Sequence, residues 1–528
     1  MMANAVTENI PALEPLDPHN ERLQANVHPP HWRQPKPKPL YDLVVVGAGT
    51  AGLVSAAGAA GLGAKVALVE KALMGGDCLN VGCVPSKALI RSADVLADLK
   101  RAGELGVRVA GEVTAEFPLV MERLRRLRAG LSGHDSAQRF SELGVDVFIG
   151  EGRFIDGRSV GVDNNVLRFK KAVIATGARA VTLPIPGLAE AGYLTNETLF
   201  SLTELPRRLA VIGAGPIGCE MAQAFARLGS QVTLLEQQKQ LLPREDRDAA
   251  AVVEKAFRED GIQIDDHSRI VRVISRGGEK ILELEDSEEG RRVVPDGGDN
   301  LQAGGKRQLC VDAILIGVGR APNVEGLNLE AAGVQYDARS GVKVDECLRT
   351  TNRRIFAGGD ICSPYKFTHA ADAMARIIIQ NALFFGRKKT TALIIPWCTY
   401  TDPEIAHVGL YAAEIEKRGV AFDTIQLELA EVDRAVLDSQ TAGFLKVHVE
   451  RKRGRILGAT LVASHAGEMI SELTVAMAAG MSLGSIGSII HPYPTQASII
   501  KQAADAYNRK RLTPRVSALL QWMIKLNR

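Results

Sequence analysis

From Tyr41 onward the sequence predicts an α/β fold, with two Rossmann-like parallel-sheet domains followed by an α+β domain. Three observations predict it. The run Tyr41-Asp42-Leu43-Val44-Val45-Val46 reads as a buried parallel strand and leads into Gly47-Ala48-Gly49-Thr50-Ala51-Gly52 and an Ala-rich helix. A second strand at 65–69 ends at Glu70. The same order recurs with a strand at 209–212, the turn Gly213-Ala214-Gly215-Pro216-Ile217-Gly218, a helix at about 219–228 and a strand at 231–235 ending at Glu236. From about 392 to 510 strands and helices alternate with no such turn, which marks a separate domain.

Each GxGxxG copy follows a strand, opens a helix and precedes an acidic residue at the end of the next strand. The first two glycines let the backbone turn tightly against a pyrophosphate, and the third lets helix and strand pack closely. The helix N-terminus offers free N–H groups and a positive dipole to the phosphates. Glu70 and Glu236 stand where a ribose 2′-hydroxyl would be, so the chain carries two expected dinucleotide sites. At the second, a carboxylate accepts that hydroxyl and repels a 2′-phosphate. Gln237 and Gln238 follow rather than arginines, which favours NADH over NADPH.

Between the two copies lie a helical stretch at roughly 115–143 and short strands leading to Ala172-Val173-Ile174-Ala175-Thr176-Gly177. The polar segment 276–308 reads as a hairpin with a long loop. The chain then passes Gly317-Val318-Gly319-Arg320 and Ile355-Phe356-Ala357-Gly358-Gly359-Asp360. The expected domains are a Pro-rich extended arm at 1–39, a first nucleotide domain split over 40–180 and 321–391, a second at 181–320, an interface domain at 392–510 and a helix at 511–528. That last helix is apolar with basic ends. Packing onto the body of the protein is its favoured reading, and a membrane or partner contact is the lesser one.

A net charge of +3 on 528 residues argues against nucleic acid as a partner. No apolar run reaches the roughly 18 to 20 residues a bilayer-spanning helix needs. The seven cysteines are sparse and odd in number, unlike a secreted disulfide scaffold. The first 39 residues hold no apolar signal core, so the expected compartment is the cytoplasm.

The strongest chemical signal is Gly75-Gly76-Asp77-Cys78-Leu79-Asn80-Val81-Gly82-Cys83-Val84-Pro85-Ser86-Lys87. With no second cysteine pair nearby, it is poor for tetrahedral zinc, and no metal site is expected. Pro85 suits the first turn of a helix, which would put Cys83 at a helix N-terminus, where the dipole favours a thiolate.

This pattern resembles the active-site motif of the class I pyridine nucleotide-disulfide oxidoreductases, among them dihydrolipoamide dehydrogenase, glutathione reductase and mercuric reductase. The resemblance runs from about 41 to 508 in the family's order. It implies FAD at the first fingerprint and a pyridine nucleotide at the second. Cys83 would face the flavin and Cys78 would meet the acceptor. Lys87 would lie near the flavin and pair with Glu220. Asp360 would hold the ribityl chain and Gly152 would lie under the adenine. Gly76, Thr176, Gly177 and Gly319 would contact the cofactors, and His369 would lie near the flavin. Electrons would pass from NADH through FAD to the Cys78–Cys83 disulfide and then to an acceptor. The resemblance further implies a homodimer whose active sites are shared between subunits.

The departures from the family concern the acceptor. Disulfide-reducing members use a His-Glu pair in a segment that here reads His491-Pro492-Tyr493-Pro494-Thr495-Gln496-Ala497-Ser498. Tyr493 stands at the acid/base position and Ser498 at the carboxylate position. His491 lies two residues early, with no carboxylate at the usual spacing. Mercuric reductases carry tyrosine there and a second one in a segment like that around Tyr193. This chain is therefore closest to mercuric-reductase-like proteins, with a soft metal ion as the expected acceptor. It has no cysteine after Cys398, however, where those enzymes carry a delivering pair. The alternatives are a disulfide acceptor served by His491, and a redox-sensing flavoprotein with a docking tail.

Overall fold

The computed structural model describes residues 13–286 and 306–527. Its first sheet is parallel at the centre. Tyr41–Val46 lies between Val66–Glu70 and Asn165–Ile174, and Val145–Ile149 follows outside Val66–Glu70. Leu43, Val44 and Val45 are fully buried, so the strand shows no inside–outside alternation. The late strand Ile355–Ala357 adds beside Asn165–Ile174, so residues that follow the second fingerprint complete the first sheet. Both glycine turns sit at the carboxyl ends of central strands, where the crevice of an open parallel sheet lies.

The second parallel sheet has Arg208–Ile212 between Gln231–Leu235 and Ala313–Ile316. Beside it in sequence, Ser268–Arg276, Glu279–Asp286 and Lys306–Val311 form an antiparallel three-stranded sheet. The long hairpin loop expected within 276–308 falls largely outside the described residues.

The chain forms two compact units. One holds the residues up to Gly213, Ala224–Gln237 and His267–Leu393; the other holds Ala214–Gln223, Gln238–Asp266 and Ile394–Arg528. The expected 181–320 domain is thus divided between them. The second unit is built on a five-stranded antiparallel sheet in the order Pro396–Thr399, Glu404–Gly409, Ile456–Ala463, Phe444–Glu450, Phe422–Glu428. The helices Ala466–Ala478 and Ser498–Lys510 pack on it through Met469, Ile470, Leu473, Ile499, Ile500 and Ala503.

Two expectations are corrected. The arm is not extended throughout: Pro18–Val27 is a helix, capped by the Asp17 side chain on the Asn20 N–H. The prolines that suggest an extended chain begin only at Pro29. Leu23 and Val27 are fully buried, and Asp17 pairs with Arg125 at 2.5 Å. The chain beyond is also held down, since Trp32 Nε1 donates to the Val147 carbonyl at 2.9 Å. At the other end, the helix Pro514–Leu526 does not pack onto the body, for none of its residues is buried. Among the described residues no helix is long and apolar enough to cross a membrane.

Candidate active site

The first glycine turn is built for close backbone approach. A side chain at Gly52 would put its Cβ 1.8 Å from the Gly47 carbonyl oxygen. One at Gly76, whose φ is +57°, would come 2.6 Å from the Gly49 Cα. The nucleotide turn and the Gly75-Gly76 loop therefore meet backbone to backbone. Gly49 begins the helix Thr50–Gly61 without any side-chain cap, and no acidic residue stands in its first turn. Those N–H groups suit a pyrophosphate. Glu70 is half-buried at the next strand end, where its carboxylate accepts the Ala48 N–H at 2.6 Å and the Ala72 N–H at 2.8 Å. Burial pushes its carboxyl up, against those donors. Gly152 packs against Val69 and Val46. Thr176 and Gly177 are tied to Asn323: Thr176 Oγ1 donates to its carbonyl at 2.9 Å, and its N–H donates to the Gly177 carbonyl at 3.0 Å. The Gly319 carbonyl accepts the Val181 N–H. Asp360 is largely buried, which raises its carboxyl, while Arg320 and Lys366 pull it down. His369 is exposed and stacked on Phe367. An uncapped helix start, a glycine cradle and two half-buried carboxylates fit an FAD molecule.

The cysteines stand on consecutive helices. Cys78 lies in the short helix Gly76–Asn80, and Cys83 is the first residue of Cys83–Arg101, whose N-cap Gly82 supplies no side-chain cap. The two thiols face each other, unbonded, at hydrogen-bonding range. The Thr368 hydroxyl touches both, at 3.5 Å from the Cys83 sulfur. The bond with Cys83 chiefly raises the Cys78 pKa, followed by burial, the Cys83 charge and the Asp135 carboxylate, with Thr368 opposing. Arg320 pairs with Asp77, the residue before Cys78, and its Nε lies 3.6 Å from Asp360. Lys87 sits one turn into the second helix.

Cys78 opens onto a cavity of about 270 Å³, lined among others by Thr50, Leu53, Val84, Leu131, Asp135 and Thr368. Asp135 ends the turn that follows the helix Phe117–Leu131. Burial raises its carboxyl, with Arg139 and His134 opposing, and among the described residues it makes no hydrogen bond or ion pair. Asp135 and Thr368 were missed in the sequence. They stand 57 and 290 positions from Cys78, and no motif marks either.

At the second fingerprint, the Gly213 N–H donates to the Leu235 carbonyl, and the Cys219 N–H returns to the Gly215 carbonyl to start the helix Pro216–Leu228, on which Gly218 is buried. Glu236 follows the strand Gln231–Leu235 and accepts the Gln237 N–H. Glu220 is buried and accepts the Tyr400 N–H at 3.1 Å.

In the second unit, His491 Nε2 lies 2.7 Å from Glu472 Oε1, and its Nδ1 lies 3.0 Å from the Ile489 carbonyl. Burial lowers the imidazole pKa, but Glu472 outweighs it and holds the group above its ordinary value. The loop supplies no carboxylate at the usual spacing, and Glu472 reaches His491 instead from the helix Ala466–Ala478. The Tyr493 hydroxyl donates to Asp433 at 2.8 Å, which raises its pKa.

Residues 41–375 match the pyridine nucleotide-disulphide oxidoreductase family, and residues 395–504 match the dimerisation domain of that family. The chain belongs to the pyridine nucleotide-disulphide oxidoreductases. A mercuric reductase from Streptomyces lividans is 35% identical over 88% of this chain and 96% of its own. A dihydrolipoyl dehydrogenase from Geobacillus stearothermophilus is 33% identical over 88% of this chain and 95% of its own. Among solved structures, the Cu(II) complex of the HOCl-induced flavoprotein disulfide reductase RclA from Escherichia coli has a TM-score of 0.76 at 29% identity, covering 87% of this chain and 98% of that one. The oxidoreductase is thus an FAD-dependent enzyme of this family and carries the family's dimerisation domain.

Proposed function

We propose that this oxidoreductase takes electrons from NADH and delivers them through Cys78 to a small, soft acceptor of the mercuric-ion class. The observation that carries the reading is the cavity at Cys78. At about 270 Å³ it admits an ion or a small molecule, and a sulfur is the soft donor on its wall. Mercuric reductases among the relatives support the same choice. Tyr493 is a poor base at neutral pH, with its hydroxyl held by Asp433, and a thiolate-bound cation makes little demand for one.

FAD, when bound, supplies the relay from pyridine nucleotide to the cysteine pair. The protein's own residues do the rest. Thr368 donates to whichever sulfur is ionised. Cys78 loses its proton and bonds the divalent cation. Cys83 loses its proton and attacks the Cys78 sulfur, closing the disulfide as the metal leaves. Two thiols then yield one disulfide, two protons and two electrons, and M(II) becomes M(0). Glu236, followed by Gln237 and Gln238, favours NADH. Lys87 and Glu220 are proposed to form an ion pair near the flavin, and the dimerisation domain supports a homodimer with shared sites.

A second reading, a disulfide acceptor, is favoured by the His491–Glu472 pair, an imidazole–carboxylate couple able to protonate a leaving thiolate. Anaerobic stopped-flow mixing of NADH-reduced enzyme with Hg(II), a small disulfide or a quinone separates the readings. Rapid reoxidation by Hg(II) is expected. Inhibition by Hg(II), with reoxidation by the disulfide that fails in His491→Gln, would replace the first reading by the second.

A further inference from the structure

The helix Pro514–Leu526 starts cleanly, with Pro514 in its first turn and the Thr513 side chain accepting the Val516 N–H. Yet it is left bare. Val516, Leu519, Leu520, Trp522, Met523, Ile524 and Leu526 are all 40–64% exposed. Ser517, Gln521 and Lys525, four residues apart, form a narrow polar stripe, and Arg515 in the first turn is the one base on the opposite side. Most of the circumference is therefore apolar, far more than scattered surface hydrophobics would give.

The charges around this face say what covers it. From residue 509 to 528 the sequence holds six bases (Arg509, Lys510, Arg511, Arg515, Lys525 and Arg528) and no acid. The chain's net +3 then leaves −3 on all the other residues. The excess positive charge of the protein thus lies beside this exposed apolar face. A second copy of the helix is a poor occupant, because pairing would set six bases against six. Thirteen helical residues extend only about 20 Å, too short for the roughly 30 Å of a bilayer core. An in-plane position meets both properties, since apolar side chains enter the headgroup boundary, tryptophan favours that depth and bases meet lipid phosphates.

We propose that the helix Pro514–Leu526 is an interfacial anchor that docks the enzyme on an anionic phospholipid surface. The FAD-loaded full-length protein should sediment with vesicles of equal parts phosphatidylglycerol and phosphatidylcholine, about tenfold more tightly than with phosphatidylcholine alone, and release as salt rises. The double variant Leu519→Glu, Trp522→Glu should stay in the supernatant while keeping its flavin and its NADH-driven ferricyanide reduction, which verifies that it folds. Arg511→Gln with Arg515→Gln leaves the apolar face intact and should narrow the preference for anionic vesicles. Equal binding to both vesicle types, or sedimentation unchanged in the double variant, would overturn the proposal. So would a larger lipid-free mass for the parent than for the double variant, which would assign the helix to self-association.

Discussion

Cys78 sits in an environment that disfavours its thiolate. A hydrogen bond with Cys83, burial and the Asp135 carboxylate all raise its pKa, and only the Thr368 hydroxyl opposes them. Asp135 is surrounded by His134 on its own turn, Arg139 on the next helix and Cys78 across the cavity. Its charge disfavours the thiolate, so Asp135→Asn should lower the Cys78 pKa by up to about one unit. In the NADH-reduced enzyme, the rate of Cys78 alkylation by iodoacetamide, followed by peptide mass, should then rise at a lower pH than in the parent. An unshifted profile would remove Asp135 from the thiol's electrostatics. The cysteines, both glycine turns and Glu70 were legible because their chemistry needs neighbours at fixed spacing in the chain. Asp135, Thr368 and Glu472 were not, because each reaches its partner by the packing of a distant element.

At the scale of elements, the arm shows how local pattern misleads. Its prolines suggest an extended chain, but Asp17 caps a helix whose side-chain partners Arg125 and Arg128 lie more than 100 residues away. Arg128 makes the joint: its guanidinium donates to Asn20 Oδ1 at 2.6 Å and to the Asn80 carbonyl at 2.8 Å, tying the arm to the end of the helix that carries Cys78. Arg128 is buried, so Arg128→Leu would strand two buried acceptors and should cost about 2–4 kcal/mol. A thermal melt of the holoenzyme should show a lower midpoint, with slower Cys78–Cys83 oxidation in the same variant. An unchanged midpoint would mean that the arm is not part of the folded unit. The last helix misled in the opposite sense. Its apolar composition suggested burial, and only the structure reveals that nothing among the described residues covers it.

Over the whole molecule, the order of the elements was legible and their grouping was not. Two glycine fingerprints at the ends of buried strands announce two parallel sheets, and the loss of that grammar after 392 announces a third region. The division into compact units depends on contacts such as those of Gln223 and Glu220 with residues 400–402, which no periodicity encodes. The central claim is that electrons leave through Cys78. Its most direct test is acceptor turnover by Cys78→Ser. NADH should still reduce the flavin of that variant, while turnover with the parent's best acceptor falls by about a hundredfold or more. Turnover retained at the parent's rate would mean that electrons leave by another route and would contradict the account.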